Sequence, residues 1–303
     1  MKIQLNLLIT AFLYFVLVQS SWAEKEAQGF SVISLKAIEV TEGIHMLQGV
    51  GGFAGGNIAV SVGEDGVLMV DDQLAPMNVK IKQKLKELSG SKLKFVLNTH
   101  WHGDHTGGNA MLSDQATIIA HSNVRKRMSS DQSGFFGKTP ASPKQAWPVI
   151  TFDESMSIHF NDEEIKLMHY SNGHTDGDGV VYFSNSNVVH MGDLLFAGRF
   201  PFVDLASGGN VFRYAENLQK IMQWLPKDAK VIPGHGDLTD IEGIQASHNM
   251  LLETSGYVVD KANSGMSLEE IQQQGLPEKW KSWAWAFIDE KAWISFIYNS
   301  MPK

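Results

Sequence analysis

The run Thr99-His100-Trp101-His102-Gly103-Asp104-His105-Thr106-Gly107-Gly108 places three imidazoles and one carboxylate within six positions, directly after an apolar stretch at 93–98 that reads as a strand. A sheet fixes the backbone at the end of a strand, so side chains clustered just past it are held where they can converge. Such a His-x-His-x-Asp-His run reads as a metal site. The chain contains no cysteine, which removes thiolate ligation, disulfides and a cysteine nucleophile together. Any metal must therefore rest on imidazole and carboxylate.

Three later segments again put a ligand-capable side chain beside glycine just past a β run: Ser171-Asn172-Gly173-His174-Thr175-Asp176-Gly177-Asp178, His190-Met191-Gly192-Asp193 and Ile232-Pro233-Gly234-His235-Gly236. Glycine lets the chain turn tightly there and lets neighbouring loops approach. Apolar and alternating runs predict strands at 44–48, 57–62, 66–71 and 93–98, then at 116–120, 149–152, 157–160, 165–170, 180–184, 188–191 and 230–232. Ahead of 93–98, Pro76 suits a first helical turn, Ile81, Leu85 and Leu88 share a helix face, and Gly90 suits a left-handed stop. Further helices are expected at 107–112, 122–128 and 211–225. Two sheets packed together with helices outside is the simplest architecture for this order. Residues 129–148 read as an irregular surface loop. From about residue 240 the chain reads as helical, with Trp280, Trp283, Trp285 and Trp293 spaced to pack on a face.

Residues 1–23 carry an early cation, Lys2, an apolar stretch over 5–18 and the cleavage-type triplet Ser21-Trp22-Ala23, the pattern of a signal peptide. That stretch is shorter than the roughly 20 residues a spanning helix needs. The expectation is export to the periplasm, without a membrane anchor after cleavage, and a single domain over 24–303. A chain of this size buries enough apolar surface to fold without disulfides. A net charge of −8 and the lack of a long basic run argue against a nucleic-acid substrate and for a small molecule.

Taken in order, the His-x-His-x-Asp-His run and then His174, Asp193 and His235, all at strand ends, resemble the metallo-β-lactamase fold superfamily over about residues 43–240. The resemblance implies an α/β fold, the αββα sandwich of two mixed β-sheets flanked by helices, with the site at one edge of both sheets. Carried over residue by residue, it implies that His100, His102 and His174 hold one metal, that Asp104, His105 and His235 hold a second, and that Asp193 bridges them. Two Zn2+ ions suit this donor set, which also accepts iron or manganese. Asp71 and Asp72 resemble the acidic residues that orient the His loop, since metal-bound imidazoles donate their other N–H to an oxygen. The remaining histidines, His45, His121, His159, His169, His190 and His248, read as structural or surface residues.

A pair of close cations makes hydroxide available from a shared water near neutral pH, polarises a carbonyl and holds the departing anion. Asp104, besides ligating, would orient that hydroxide or relay its proton. The implied reaction is hydrolysis of an activated acyl bond in an ester, thioester, lactone or lactam. Cysteine-containing β-lactamases put a thiolate where Asp193 stands, so the chain departs from that branch. It looks more like glyoxalase II, the lactonases and the sulfur-oxidation-linked periplasmic hydrolases. A β-lactamase proper and an iron-dependent, oxygen-using member are the alternatives. The glycine-rich stretch 49–56 resembles the mobile flap of the β-lactamases, with Phe53 placed to close over an apolar part of the substrate. Arg199 is placed to bind a substrate carboxylate or to form a surface ion pair.

Overall fold

The computed structural model describes residues 29–135 and 137–302; the expected signal peptide at 1–23 lies outside them. Among the described residues no helix is long and apolar enough to cross a membrane. The first sheet takes β1 (Ser34–Thr41), β2 (Ile44–Val50), β3 (Ile58–Gly63), β4 (Gly66–Val70), β5 (Leu93–Asn98) and β6 (Thr117–His121) in sequence order. A separate hairpin, β7 (Gln132–Gly134) and β8 (Gly137–Thr139), precedes its last strand, β9 (Ile150–Phe152). Pairing is antiparallel from β1 to β4 and parallel from β4 to β9. The second sheet runs β10 (Ser155–Phe160), β11 (Glu163–His169), β12 (Gly179–Phe183), β13 (Val188–His190) and β14 (Lys230–Ile232), with β13 and β14 parallel. Both sheets are mixed, as expected.

The apolar pattern explains the layering. Every position of β4 is buried, as a strand covered on both faces must be. Leu68 and Val70 face the space between the sheets, where Val181, Phe183 and Ile232 meet them, while Val67 and Met69 face Ile81 and Leu85 of the helix Asn78–Leu88. On the outer side of the second sheet, Val189 and Val231 pack against the helices Val211–Trp224 and Ile241–Asn263 and the fully buried Trp293. Burying each such side chain stabilises the fold by about 1.5–3 kcal/mol. Helices thus cover both outer faces, giving the αββα order.

Local details depart from the sequence reading. β1 carried no clear signal, because on this edge strand only Leu35 and Val40 are buried. The helix Asn78–Leu88 stops at Ser89 in an extended conformation, φ −152°, and Gly90 is not left-handed. Pro76 lies in the 3-10 turn Ala75–Met77 before that helix. The helix expected at 107–112 is instead two single turns, Gly103–Thr106 and Asn109–Leu112, since the Gly107 N–H donates to Gln73 and leaves the helical ladder. Residues 129–148 are not wholly irregular: they hold the β7–β8 hairpin and a 3-10 turn at Lys144–Ala146. Trp280 and Trp283 pack half-buried on the cluster around Trp293, and so does Trp285, which also reaches the cleft described below.

His121 at the end of β6 and His169 at the end of β11 stack across the two sheets, with ring centroids 3.6 Å apart and planes 10° apart. Burial pushes both imidazoles below their ordinary range, and at His121 the neighbouring ring adds to the effect. The folded protein therefore holds them neutral where the unfolded chain protonates, near pH 6.5. Their contribution to stability is complete above that pH and is lost as the pH falls through it. His169→Phe keeps a ring in the stack and removes one charge. Denaturation measured across pH is expected to show a shallower acid decline in this variant below about pH 6.5; the same slope as the parent would show that the stack does not resist protonation.

Candidate metal centre

The site sits where strands of both sheets end on one side. Asp71 follows β4, Thr99 and His100 follow β5, His174 lies between β11 and β12, Asp193 follows β13 and His235 follows β14. Asp193 is carried by a 3-10 turn, Gly192–Leu194, anchored by Tyr214, whose hydroxyl donates to the Asp193 carbonyl at 2.8 Å. Two glycines make room for these groups. A Cβ on Gly234 would stand 2.1 Å from Asp193 Oδ1, and one on Gly56 would stand 2.1 Å from His105 Cε1.

The seven side chains expected to share a site come together in two groups of donor atoms, each within 4.8 Å. In the first, His102 Nδ1 lies 3.1 Å from His100 Nε2 and 2.8 Å from His174 Nε2. Asp193 Oδ2 stands 3.4 Å from His174 Nε2 and 3.8 Å from His100 Nε2. In the second, His105 Nε2 and His235 Nε2 are 3.4 Å apart, and Asp104 Oδ2 is 3.5 Å and 3.4 Å from them. Asp193 Oδ1 faces this second group at 3.1 Å from His105 and 3.4 Å from His235. A tetrahedral ion with bonds of about 2.0–2.1 Å sets its donors roughly 3.3 Å apart. Both groups match that spacing, and one carboxylate turns one oxygen to each.

A set of oxygens behind the imidazoles fixes which nitrogen faces inward. Asp71 Oδ2 lies 2.7 Å from His105 Nδ1, Asp204 Oδ2 2.9 Å from His102 Nε2, the Phe202 carbonyl 2.8 Å from His174 Nδ1 and Thr99 Oγ1 3.1 Å from His100 Nδ1. Each accepts the N–H of the outer nitrogen, so the inner one presents its lone pair to the centre. Asp71 also accepts the Thr99 N–H and hydroxyl, both at 2.8 Å. Asp72 hydrogen-bonds no imidazole; it accepts the Gly108 N–H at 2.8 Å and so holds the backbone of the His loop.

Asp204 and Asp178 belong to this framework and sequence reasoning missed them. Asp178 accepts the N–H groups of His174 and Thr175, at 2.7 Å and 2.9 Å, and the Thr175 hydroxyl at 2.5 Å. Burial pushes its carboxyl up to about 8. For Asp204 burial also opposes ionisation, but the hydrogen bonds from His102 and Ser207 together with the charge of the neighbouring imidazoles outweigh it and hold the group down to about 2. Burial acts against charge on Asp104 too, yet His105 and His235 beside it bring it to about 2. His174 is driven down to about 4 by burial, which leaves it a neutral donor at pH 7.

The two groups open into a cleft of about 590 Å³. Asp104 and His102 are only partly covered and face it, beside Phe53, Trp101, Phe202 and Trp285. Phe53 is 56% exposed and stacks over His235, with centroids 5.9 Å apart and planes 20° apart. It therefore sits at the mouth, as its place in the glycine-rich stretch suggested. Arg199 does not face the cleft and, among the described residues, forms no ion pair; its guanidinium lies 5.2 Å from the ring centre of Trp285. A cation–π contact replaces both roles expected for it. Of the other histidines, His190 is buried near the site but donates to the Asn57 carbonyl at 3.0 Å.

Paired clusters of nitrogen and oxygen donors at one edge of an αββα sandwich define a metal-site protein of that architecture. The chain belongs to the Metallo-beta-lactamase superfamily, whose family model matches residues 51–235. It is similar to an uncharacterised protein of Aquifex aeolicus, 32% identical over 54% of this chain and 75% of that one. It is also similar to the hydroxyacylglutathione hydrolase of Pelagibacter ubique, 27% identical over 53% of this chain and 59% of that one, and to the Metallo-beta-lactamase type 2 of Bacteroides fragilis, 24% identical over 51% and 58%. Among solved structures, a metallo-beta-lactamase from Pontibacter korlensis superposes with a TM-score of 0.60 at 16% identity, covering 72% of this chain and 99% of that one. The sec-alkylsulfatase Pisa1 from Pseudomonas sp. superposes with a TM-score of 0.65 at 12% identity, covering 88% and 50%.

Removing the oxygen behind His102 leaves that imidazole free to turn. Asp204→Ala is expected to weaken zinc binding by about 10–100-fold in competition with a chromophoric chelator. Asp204→Asn, which can still cap the turn at Ser207, belongs at the low end of that range. Unchanged zinc affinity in both variants would show that Asp204 does not position His102.

Proposed function

We propose that this protein is a binuclear zinc hydrolase that cleaves an activated acyl bond of a small molecule: an ester, thioester, lactone or lactam. The observation that carries this reading is the division of the Asp193 carboxylate, one oxygen toward His100 and His174 and the other toward His105 and His235. His100, His102 and His174 would hold one ion, Asp104, His105 and His235 the other, with Asp193 shared. Two divalent ions in these positions would supply a Lewis acid for the carbonyl oxygen and ionised water near neutral pH.

The chain's own residues do the rest. Asp104, held as a carboxylate at neutral pH by His105 and His235, accepts a hydrogen bond from the attacking water and points its lone pair at the carbonyl carbon. The water oxygen bonds to that carbon, the bond to the leaving group breaks with its electron pair, and the water proton accepted by Asp104 passes to the leaving group, so the products are a carboxylic acid and an alcohol, thiol or amine. Phe53 and the aromatic walls exclude bulk water from the reacting carbonyl. The family relationship and the resemblance to the hydroxyacylglutathione hydrolase of Pelagibacter ubique support this chemistry. The leader-like N-terminus and acidic balance suggest that it acts after export to the periplasm, on a substrate other than nucleic acid.

The zinc-loaded protein should be assayed against nitrocefin, S-lactoylglutathione, a homoserine lactone and simple aryl esters. Hydrolysis of at least one is expected, with Asp104→Asn lowering kcat by about 100-fold or more. A single bound iron with oxygen consumption, or no hydrolysis across the panel, would contradict it. Turnover of nitrocefin above the others would select the β-lactamase alternative.

A further inference from the structure

The charged side chains lining the cleft are those of the donor clusters: His102, Asp104, Asp193 and His235. The rest of the lining is largely apolar, with Phe53, Leu74, Trp101, Phe202, Trp285 and Phe287 contributing to it, and Thr139 lines the cleft as well. No lysine or arginine is among the lining residues. Arg199, which follows Asp193 on the same loop, is held against the Trp285 ring, and the Trp285 N–H is committed to the Phe200 carbonyl at 2.9 Å. The β7–β8 hairpin extends the apolar wall. Phe135 stands 5.4 Å from Phe202 and 6.1 Å from Phe287, and Thr139 of the same hairpin faces the cleft.

We propose that this cleft selects uncharged acyl compounds with an apolar chain or ring and rejects those bearing a carboxylate away from the scissile bond. The proposal rests on the hydrolase reading only for the ligand's orientation, with its carbonyl at the donor clusters and its remaining body between the aromatic walls. A second carboxylate placed there would lose its water, find no lysine or arginine in the lining to pair with, and share the cleft with the Asp104 carboxylate. Burying an unpaired charge is strongly unfavourable. Apolar carbon in the same position buries its surface against rings that are already fixed.

The test reads binding to a linkage that resists cleavage, so it stands apart from turnover. The neutral fluorophore N-phenyl-1-naphthylamine is bound to the protein, metal-free and zinc-loaded, and displaced by hexananilide or by the monoanilide of adipic acid. Hexananilide is expected to displace it at a concentration about 10-fold lower or more. The double variant Trp285→Ala, Phe287→Ala, checked for an unchanged circular dichroism spectrum, is expected to weaken hexananilide by about 10-fold. Thr139→Lys is expected to narrow the preference by admitting the monoanilide. Equal affinity for the two anilides, no effect of the double variant, or failure of hexananilide to displace the fluorophore would each overturn the proposal. Absence of hydrolysis on the ester panel, with this binding preference intact, would instead fault the hydrolase reading alone.

Discussion

The buried carboxylate of Asp193 is the group around which this structure is arranged. A carboxylate that leaves water must meet compensating charge or donors, and here it faces four imidazoles from three different parts of the chain. Its Oδ1 accepts no hydrogen bond among the described residues, and Gly234 is the residue that allows the neighbouring loop to pass so close to it. Everything nearby serves to hold the surrounding nitrogens in place. Asp71, Thr99, Asp204 and the Phe202 carbonyl fix the imidazoles, and Asp178 fixes the turn that carries His174.

The sandwich explains why so many polar groups can be held so closely. The donors follow strands packed on both faces, and their backbone positions are set by hydrophobic burial far larger than the cost of ordering a few side chains. Loops that carry no donor are built differently. The stretch containing Phe53 and the β7–β8 hairpin with Phe135 place exposed aromatic rings around the opening. A buried donor centre with an exposed apolar rim is the arrangement expected of a ligand site on a superfold, where chemistry stays with the strand ends and selectivity with the loops.

Much of this was legible in the sequence, and the reasons differ by residue. His100, His102, Asp104 and His105 announce themselves by type and spacing, while His174, Asp193 and His235 were readable because each follows a β run beside glycine. β1 was not legible, since half-buried edge strands alternate weakly. Asp204 was not legible either: it sits 102 residues from His102, with no local pattern to mark it, and only the packed fold brings them to 2.9 Å. Arg199 shows the opposite failure. Its position suggested a substrate contact, but a nearby indole offered the guanidinium a partner that spacing along the chain does not reveal.

The most direct test is elemental analysis of the full-length protein, purified without chelators and compared with Asp193→Ala. Two divalent ions per chain are predicted for the parent, falling to one or none in the variant, because a shared carboxylate cannot be removed without disturbing both groups. A parent that holds a single ion, or a variant that still holds two, would contradict the division of Asp193 between two centres.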